Sequence, residues 1–110
     1  MAAPKVLEIV ANDVLTVHAL TIYEDDGTKF NLTDATEIKI QVAAVGGAAL
    51  ILDTTCAKQS PNTDGICWYT KQVGELNTVG LFHAALQVTE SGGRIITTKR
   101  FDIRVVKDLP

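Results

Sequence analysis

The sequence predicts an all-β protein, an antiparallel β-sandwich of about seven or eight short strands. Three observations favour this fold. Turn residues recur roughly every ten positions, and several segments alternate apolar and polar side chains, as strands with one buried face do. Only one stretch, Lys71–Thr78, could form even a helical turn, with Val73 and Leu76 as its apolar contacts. A chain of 110 residues with 46% hydrophobic residues has the size of a single domain, 1–110, with one core.

The chain begins with a segment of about ten residues, 1–10, that we expect to form an N-terminal arm. Within it, Val6–Val10 could instead be a short strand. Asn12 and Asp13 then signal a turn. The next run, Val14–Tyr23, is rich in β-branched residues and is predicted to be a strand, which would put Leu20 and Ile22 on one face.

The segment Ile22–Val42 carries the strongest local signals. Gly27 follows Asp26 and is predicted to lie in a tight turn, because glycine takes a positive φ without a Cβ clash. Phe30 and Leu32 should then point to one side of an extended chain. After a polar corner, strict alternation predicts a half-buried strand. Its inward-facing residues would be Ile38, Ile40 and Val42.

Double glycines mark two further hairpins. Gly46 and Gly47 suit a turn in which both central residues have a positive φ, and Gly92-Gly93 is a second such site. Between them, the polar stretch 53–64 ends in a turn, and Ile66–Thr70 is predicted to be a strand. That strand would place Cys67 and Tyr69 on one face and Ile66 and Trp68 on the other.

Two long strands are expected to complete the sandwich, one opened by Gly80 and one running from Ile95 to about Val106. In both, apolar residues alternate with polar ones. The inward-facing residues would be Phe82, Ala84, Leu86, Val88, Phe101, Ile103 and Val105.

Charge and composition exclude several kinds of partner. The net charge is −3, from 10 basic and 13 acidic residues that are scattered along the chain. Phosphate binding needs a clustered basic surface, so no nucleic-acid partner is expected. The longest uncharged apolar run, Val42–Leu52, is too short to span a membrane, and no secretion signal is visible. We therefore expect synthesis in a reducing cytoplasm.

Two histidines and two cysteines are the residues most often used in catalysis or metal binding. His18 and His83 lie on predicted strands, where they could be metal ligands or a general base, or simply outward-facing strand residues. Cys56 and Cys67 could pair across adjacent strands, or remain free buried thiols, which we favour. Neither set has the spacing of a zinc site.

Three further patterns admit a functional interpretation. The carboxylates of Glu24–Asp26 could attract calcium, although a solvated turn fits the spacing better. Asn31-Leu32-Thr33 matches a glycosylation acceptor. Trp68 and Tyr69 could stack on a sugar ring, or be core and rim residues. Because no nucleophile, acid–base or phosphate-binding set accompanies them, we predict no enzyme and no catalytic, cofactor or metal site.

The order of these signals resembles that of a known family, the N-terminal immunoglobulin-like domain of the baseplate upper proteins of tailed bacteriophages. The likeness extends from about Val14 to Val106. The segments that carry it are Asp25-Asp26-Gly27-Thr28, Phe30–Thr36, Ile38–Val42, Asp64-Gly65, Trp68-Tyr69, Gly80-Leu81-Phe82, Gly92-Gly93 and Phe101–Val105.

The resemblance implies an immunoglobulin-like sandwich and a structural role in a virion, as a docking module at the baseplate, the neck or the tail-fibre attachment point. In that family a long arm with a receptor-binding part follows the sandwich, whereas this chain ends at Pro110. We therefore expect the docking role without the receptor-binding one, in a symmetric assembly of identical copies with other virion proteins. The alternatives are a capsid decoration protein and a carbohydrate- or cell-surface-binding module.

Overall fold

The described residues of the computed structural model, 6–47, 49–58 and 62–107, form eight strands and one short 3-10 turn at Asn62–Asp64. The strands are β1 (Val6–Val10), β2 (Val17–Thr21), β3 (Ala35–Ala44), β4 (Leu50–Lys58), β5 (Ile66–Thr70), β6 (Gly80–Glu90), β7 (Ile95–Thr97) and β8 (Phe101–Val106). The all-β prediction is confirmed. No helix in this part of the chain is long and apolar enough to cross a membrane.

The strands are joined in the order β1-β8-β6-β3-β4-β5-β2, and β7 pairs with β6. The sheet curls at β4, since Ile38 to Ala43 of β3 pair with most of β4, whereas the end of β4 pairs with β5. A large sheet therefore contains β1, β8, β7, β6, β3 and β4, and a small sheet contains the end of β4, β5 and β2. β1 runs parallel to β8, and all the other strand pairs are antiparallel. The order leaves β1 and β2 as the two end strands.

The core lies between the two sheets, and alternation along each strand selects the residues that fill it. Ile40 of β3 and Leu86 of β6 are register partners at the centre, and both are fully buried. The inward-facing residues predicted on β3, β6 and β8 are all buried, as are Leu20, Ile22, Phe30 and Leu32. The predicted register of these strands is therefore confirmed.

Part of the segment predicted as an N-terminal arm belongs to the sheet. Val6–Val10 forms β1, which pairs with β8 over its whole length, and Ile9 is fully buried. Of the two alternatives for Val6–Val10, the strand is confirmed and the arm is wrong, because burying the apolar side chains of its inward side stabilises the fold. Residues 1–5 lie outside the described part of the chain.

The last predicted strand is two strands separated by a bulge. Gln87 pairs with Thr97, while Ala84 pairs with Phe101, so the chain from β7 to β8 contains one residue more than β6. Thr98 bridges the gap: its amide donates to the Leu86 carbonyl at 2.9 Å and its hydroxyl accepts from the Leu86 amide at 3.0 Å. The extra residue changes the inward-facing positions from even to odd numbers.

Two of the three glycine turns differ from the simplest expectation. Gly27 has a φ of 88°, as predicted. In the β3–β4 hairpin, however, Gly46 has a positive φ (78°) whereas Gly47 does not, and the Gly47 amide donates to the Ala44 carbonyl. The prediction of two positive φ angles there was wrong. At the β6–β7 hairpin, Gly93 alone of its pair has a positive φ, which matches a turn followed by a bulge.

Two segments have structures that the sequence pattern did not indicate. The stretch 71–78 forms no helix; it is a turn at Gly74, where Leu76 is buried but Val73 is 79% exposed. The polar stretch belongs to β4 as far as Lys58; Asp53 and Thr55 face outward there, and Thr54 and Cys56 face inward. This segment is a strand because it pairs with β3, and the intrinsic β-propensity of its residues does not reveal that pairing.

Replacing either central residue, Ile40 or Leu86, with alanine should cost roughly 2–5 kcal/mol of unfolding free energy, because each leaves a cavity in the core. Their immediate neighbours Lys39 and Gln87 are also register partners but face outward, so alanine there should be nearly neutral. Chemical denaturation of the four variants measures this difference. Equal losses in both sets would contradict the register.

Gly65→Ala should destabilise the protein more than Gly27→Ala. Both glycines have a positive φ, but a Cβ on Gly65 would lie 2.5 Å from the Ile22 carbonyl oxygen and 2.9 Å from that of Phe30, whereas Gly27 has open space. We expect a loss of about 1 kcal/mol at Gly27 from backbone strain and roughly 1–3 kcal/mol more at Gly65 from the clash. Similar denaturation midpoints for the two variants would contradict this packing.

Candidate functional site

In the part of the chain that the structure describes, the outward-facing side of the small sheet carries no charged residue. In register, Ala19 of β2 lies opposite Trp68 of β5, and Trp68 in turn lies opposite Ala57 of β4. We call this surface the apolar face. Its members are Val17, Ala19, Thr21, Ala57, Ile66, Trp68 and Thr70.

The composition of the apolar face follows from alternation within β2 and β5. Leu20, Cys67 and Tyr69 point into the core, so their neighbours along the chain point outward. Val17 is 60% exposed, and Trp68, the single tryptophan of the chain, is half-buried. The outward side of the large sheet is different, because it displays charged residues such as Glu37, Lys39, Asp53, Asp102 and Arg104.

Two loops, one before the start of β2 and one after the end of β5, extend the apolar surface. Leu15 and Val73 are 65% and 79% exposed, and Val14 is also exposed. The loops are joined directly, since the Leu15 amide donates to the Lys71 carbonyl at 2.7 Å. Exposed apolar residues of this size, next to an uncharged sheet face, are typical of surfaces that contact other proteins.

A fully buried lysine fastens these loops together. The Lys71 ammonium group donates to the Asp13 carbonyl at 2.6 Å and to Asn77 Oδ1 at 2.8 Å. Asn77 Oδ1 also accepts from the Asn12 amide. Burying an ammonium group is costly unless it is hydrogen-bonded, so the loops must keep these acceptors in place.

Backbone strain is concentrated in the same two loops. The non-glycine residues with a positive φ among the described residues are Asn12 (70°), Leu15 (63°) and Leu76 (48°). For leucine this conformation is costly and persists only where neighbouring contacts enforce it. The Lys71 contacts provide that enforcement, and as a result Leu15 is held with its side chain exposed.

Tyr69 anchors the same loops from inside the core. Its hydroxyl donates to Glu75 Oε1 at 2.8 Å, and burial, together with this bond, raises the pKa of Tyr69. The ring of His18 stacks on Tyr69, with centroids 6.1 Å apart. Burial, reinforced by the charge of Lys71, lowers the pKa of His18. His18 therefore faces inward, and the expectation of an outward-facing residue was wrong at this position.

His83 faces outward on β6. It lies opposite Asp102 of β8, and its Nδ1 is 3.1 Å from Asp102 Oδ1. It borders an open groove of about 430 Å³ on the large sheet, whose lining includes Gln41, Ala43 and Arg100. Among the described residues, no group of three or more His, Cys, Asp or Glu side chains is arranged to hold a metal ion.

In the acidic turn and in the glycosylation pattern, the side-chain oxygens of Asp26 and Asn31 accept local hydrogen bonds. Asp26 Oδ1 accepts from the Thr28 hydroxyl and amide, at 2.7 and 3.0 Å, and these bonds lower the pKa of Asp26. Asn31 Oδ1 likewise accepts from the Thr33 amide at 2.9 Å. Both side chains close turns of their own backbone, as Asp and Asn commonly do.

The two cysteines are free and buried, Cys56 on β4 and Cys67 on β5. A hydrogen bond between its thiol and the Cys56 sulfur, together with burial, raises the pKa of Cys67. Cys67 is therefore a protonated core thiol, as the favoured interpretation expected. Tyr69 is also fully buried, so the structure does not bring Trp68 and Tyr69 together on one surface for a sugar ring.

Comparison with known proteins supports the fold. No protein-family model and no curated protein matches the sequence. CopC from Methylosinus trichosporium OB3b superposes on 100% of this chain and 94% of its own, with a TM-score of 0.58 and 12% identity. A mutant of the SrpA adhesin from Streptococcus sanguinis covers 97% of this chain and 57% of its own, with a TM-score of 0.45 and 10% identity. The likeness to CopC shows an immunoglobulin-like β-sandwich, and it concerns the fold alone.

Lys71→Met should loosen both loops, because the Asp13 carbonyl and Asn77 Oδ1 would lose their buried donor. We expect a loss of roughly 1–3 kcal/mol of unfolding free energy and faster hydrogen exchange at the Leu15 amide. Lys39→Met, on an outward-facing position of β3, should have little effect on either. An unchanged exchange rate at Leu15 would contradict the fastening role of Lys71.

Proposed function

We propose that this protein is a non-enzymatic structural module of a tailed-bacteriophage virion, which docks onto other virion subunits at the baseplate, the neck or the tail-fibre attachment point. The observation that carries the docking role is the apolar face. Its seven side chains include three apolar β-branched or aromatic ones, Val17, Ile66 and Trp68, and no charge. The centres of protein interfaces are poor in charge and rich in aromatic residues, and tryptophan often contributes much of the binding energy.

The rigid loops beside the apolar face favour the same role. Leu15 is held exposed by a strained backbone, which the buried Lys71 keeps in place. A loop backbone that is already held in one conformation loses less conformational entropy when the partner arrives. The loops and the sheet together thus offer one preformed surface, and in an assembly with many copies each such contact can be weak.

The virion assignment itself is supported by the residue pattern shared with the baseplate upper proteins. In this chain the pattern forms a turn at Gly27, a buried pair, Phe30 and Leu32, and the strand β3. These residues build the sandwich, so the likeness bears on architecture, and the apolar face supplies the contact. The carbohydrate alternative expected two surface aromatics, and Tyr69 is buried.

Ala57→Glu should strongly reduce incorporation into particles, because it places a charge next to Trp68 on the apolar face. The control is Thr55→Glu, two residues earlier on β4, which also faces outward but lies on the polar side of the large sheet. Quantitative mass spectrometry of purified particles measures the copy number of each variant. We expect at least a tenfold reduction for Ala57→Glu, which corresponds to about 1.4 kcal/mol, and none for Thr55→Glu.

Electron microscopy of particles that carry labelled protein then locates the module. Density at the baseplate, neck or fibre attachment point supports the proposal, whereas density on the capsid shell would indicate the decoration role. Absence from purified particles, or normal incorporation of Ala57→Glu, would contradict docking through the apolar face.

A further inference from the structure

The free edge of β2 has backbone groups that are not used inside the described chain. In the register with β5, the Lys71 amide donates to the Thr16 carbonyl at 3.0 Å and the Ile22 amide donates to the Gly65 carbonyl at 2.8 Å. Even-numbered residues of β2 therefore bond to β5. Because antiparallel bonding alternates, the amides and carbonyls of odd-numbered residues point to the other side. These are the groups of Val17, Ala19 and Thr21, and β2 has no second neighbour in the described sheet.

The two end strands differ in how they are protected against pairing. Each is five residues long. The middle residue of β1 is Glu8, which is exposed, so two copies of β1 aligned antiparallel about their centres would place like charges face to face. The middle residue of β2 is Ala19, and β2 contains no acidic residue, lysine, arginine or proline. Natural edge strands usually carry such residues to prevent association.

From this contrast we propose that β2 pairs antiparallel with β2 of a second copy of this chain, about a two-fold axis at Ala19. Ala19 then lies opposite Ala19 of the second copy, and Val17 lies opposite Thr21 of the second copy. These are the residues whose backbone groups face the free edge, so about six hydrogen bonds form across the axis. The small sheets of the two copies join into one sheet.

The side chains suit this arrangement. On the outward side, the cross-axis pairs are alanine with alanine and valine with threonine, and none of these residues is charged. Valine and threonine are both β-branched, as residues in favourable cross-strand pairs often are. The two apolar faces become continuous across the axis. A two-fold contact uses the edge of β2 in both copies and leaves no β2 edge open, so the assembly stops at a dimer. Because one strand pair buries little surface, the dimer should be weak in solution.

This inference does not depend on the virion proposal, since purified protein alone should show the dimer. Ala19→Pro removes one amide at the free edge while the β2–β5 bonds of the even-numbered residues remain, and proline is tolerated at such edge positions. Ala57→Glu is the matched control, because it changes the apolar face two strands away from the edge. The Ala57 variant should lose particle incorporation and keep the dimer, so the two proposals fail separately.

Sedimentation equilibrium of the full chain at concentrations up to roughly 1 mM, where a weak dimer becomes populated, measures the association. We expect the weight-average mass to approach twice that of the monomer for the wild type and Ala57→Glu, and to stay at the monomer value for Ala19→Pro. Hydrogen exchange gives a second readout. The exchange rate of the Ala19 amide should fall at least tenfold between dilute and concentrated wild-type protein, whereas that of the Leu20 amide should not change.

A wild-type protein that stays monomeric over this range overturns the proposal, as does a folded Ala19→Pro variant that associates like the wild type. Circular dichroism establishes whether Ala19→Pro is folded. If it is not, Ala19→Glu decides, because it gives β2 the central charge that β1 already carries. Dimerisation of a folded Ala19→Glu variant with unchanged concentration dependence would equally overturn pairing at this edge.

Discussion

The end of β4 is the connection on which the rest of the structure depends. Ala57 and Lys58 pair with β5, whereas the preceding residues pair with β3, so one strand belongs to both sheets. The Lys58 ammonium group donates to the Ala35 carbonyl at the start of β3, and Cys56 contacts Cys67 of β5 beneath the same crossing. Without this crossing, β5 and β2 would form a two-stranded sheet, which is at best marginally stable by itself. The core and the apolar face both require it.

The small sheet shows how one set of constraints produces both stability and a contact surface. Its inward side contributes Leu20, Cys67 and Tyr69 to the core, and alternation then forces Val17, Ala19 and Trp68 outward. The apolar face lacks charge because uncharged residues stand at these outward positions, and strand formation alone does not require uncharged residues there. The large sheet, which has charged residues on its outward side, serves as the contrast within the same molecule.

Burial of Lys71 links this surface to the interior. Its ammonium group lies among backbone and side-chain oxygens of two loops, and Tyr69 reaches the same loops through Glu75. The strained conformations of Asn12, Leu15 and Leu76 occur in those loops. Strain of this kind must be offset by contacts elsewhere in the fold. The polar network is thus what permits apolar side chains to remain exposed in a defined position beside the sheet.

Alternation with a period of two determined much of the fold by itself. It identified the inward-facing residues of β3, β6 and β8, because burying one side of a strand leaves a pattern in adjacent residues, and Asp26-Gly27 identified its turn through the φ that glycine alone adopts easily. The tertiary structure decided what depends on distant partners. Pairing with β3 made a strand of residues 53–56, pairing with β5 extended it to Lys58, and a bulge against Leu86 divided the last strand at Thr98. Lys71 and Asp13 are 58 positions apart in the sequence. In sequence, Lys71 looks like an ordinary solvent-exposed lysine, and only its contact with Asp13 in the folded protein explains why it is buried. The apolar face has the same origin, because the sequence shows that Trp68 faces away from Tyr69, but only strand order places it between Ala19 and Ala57.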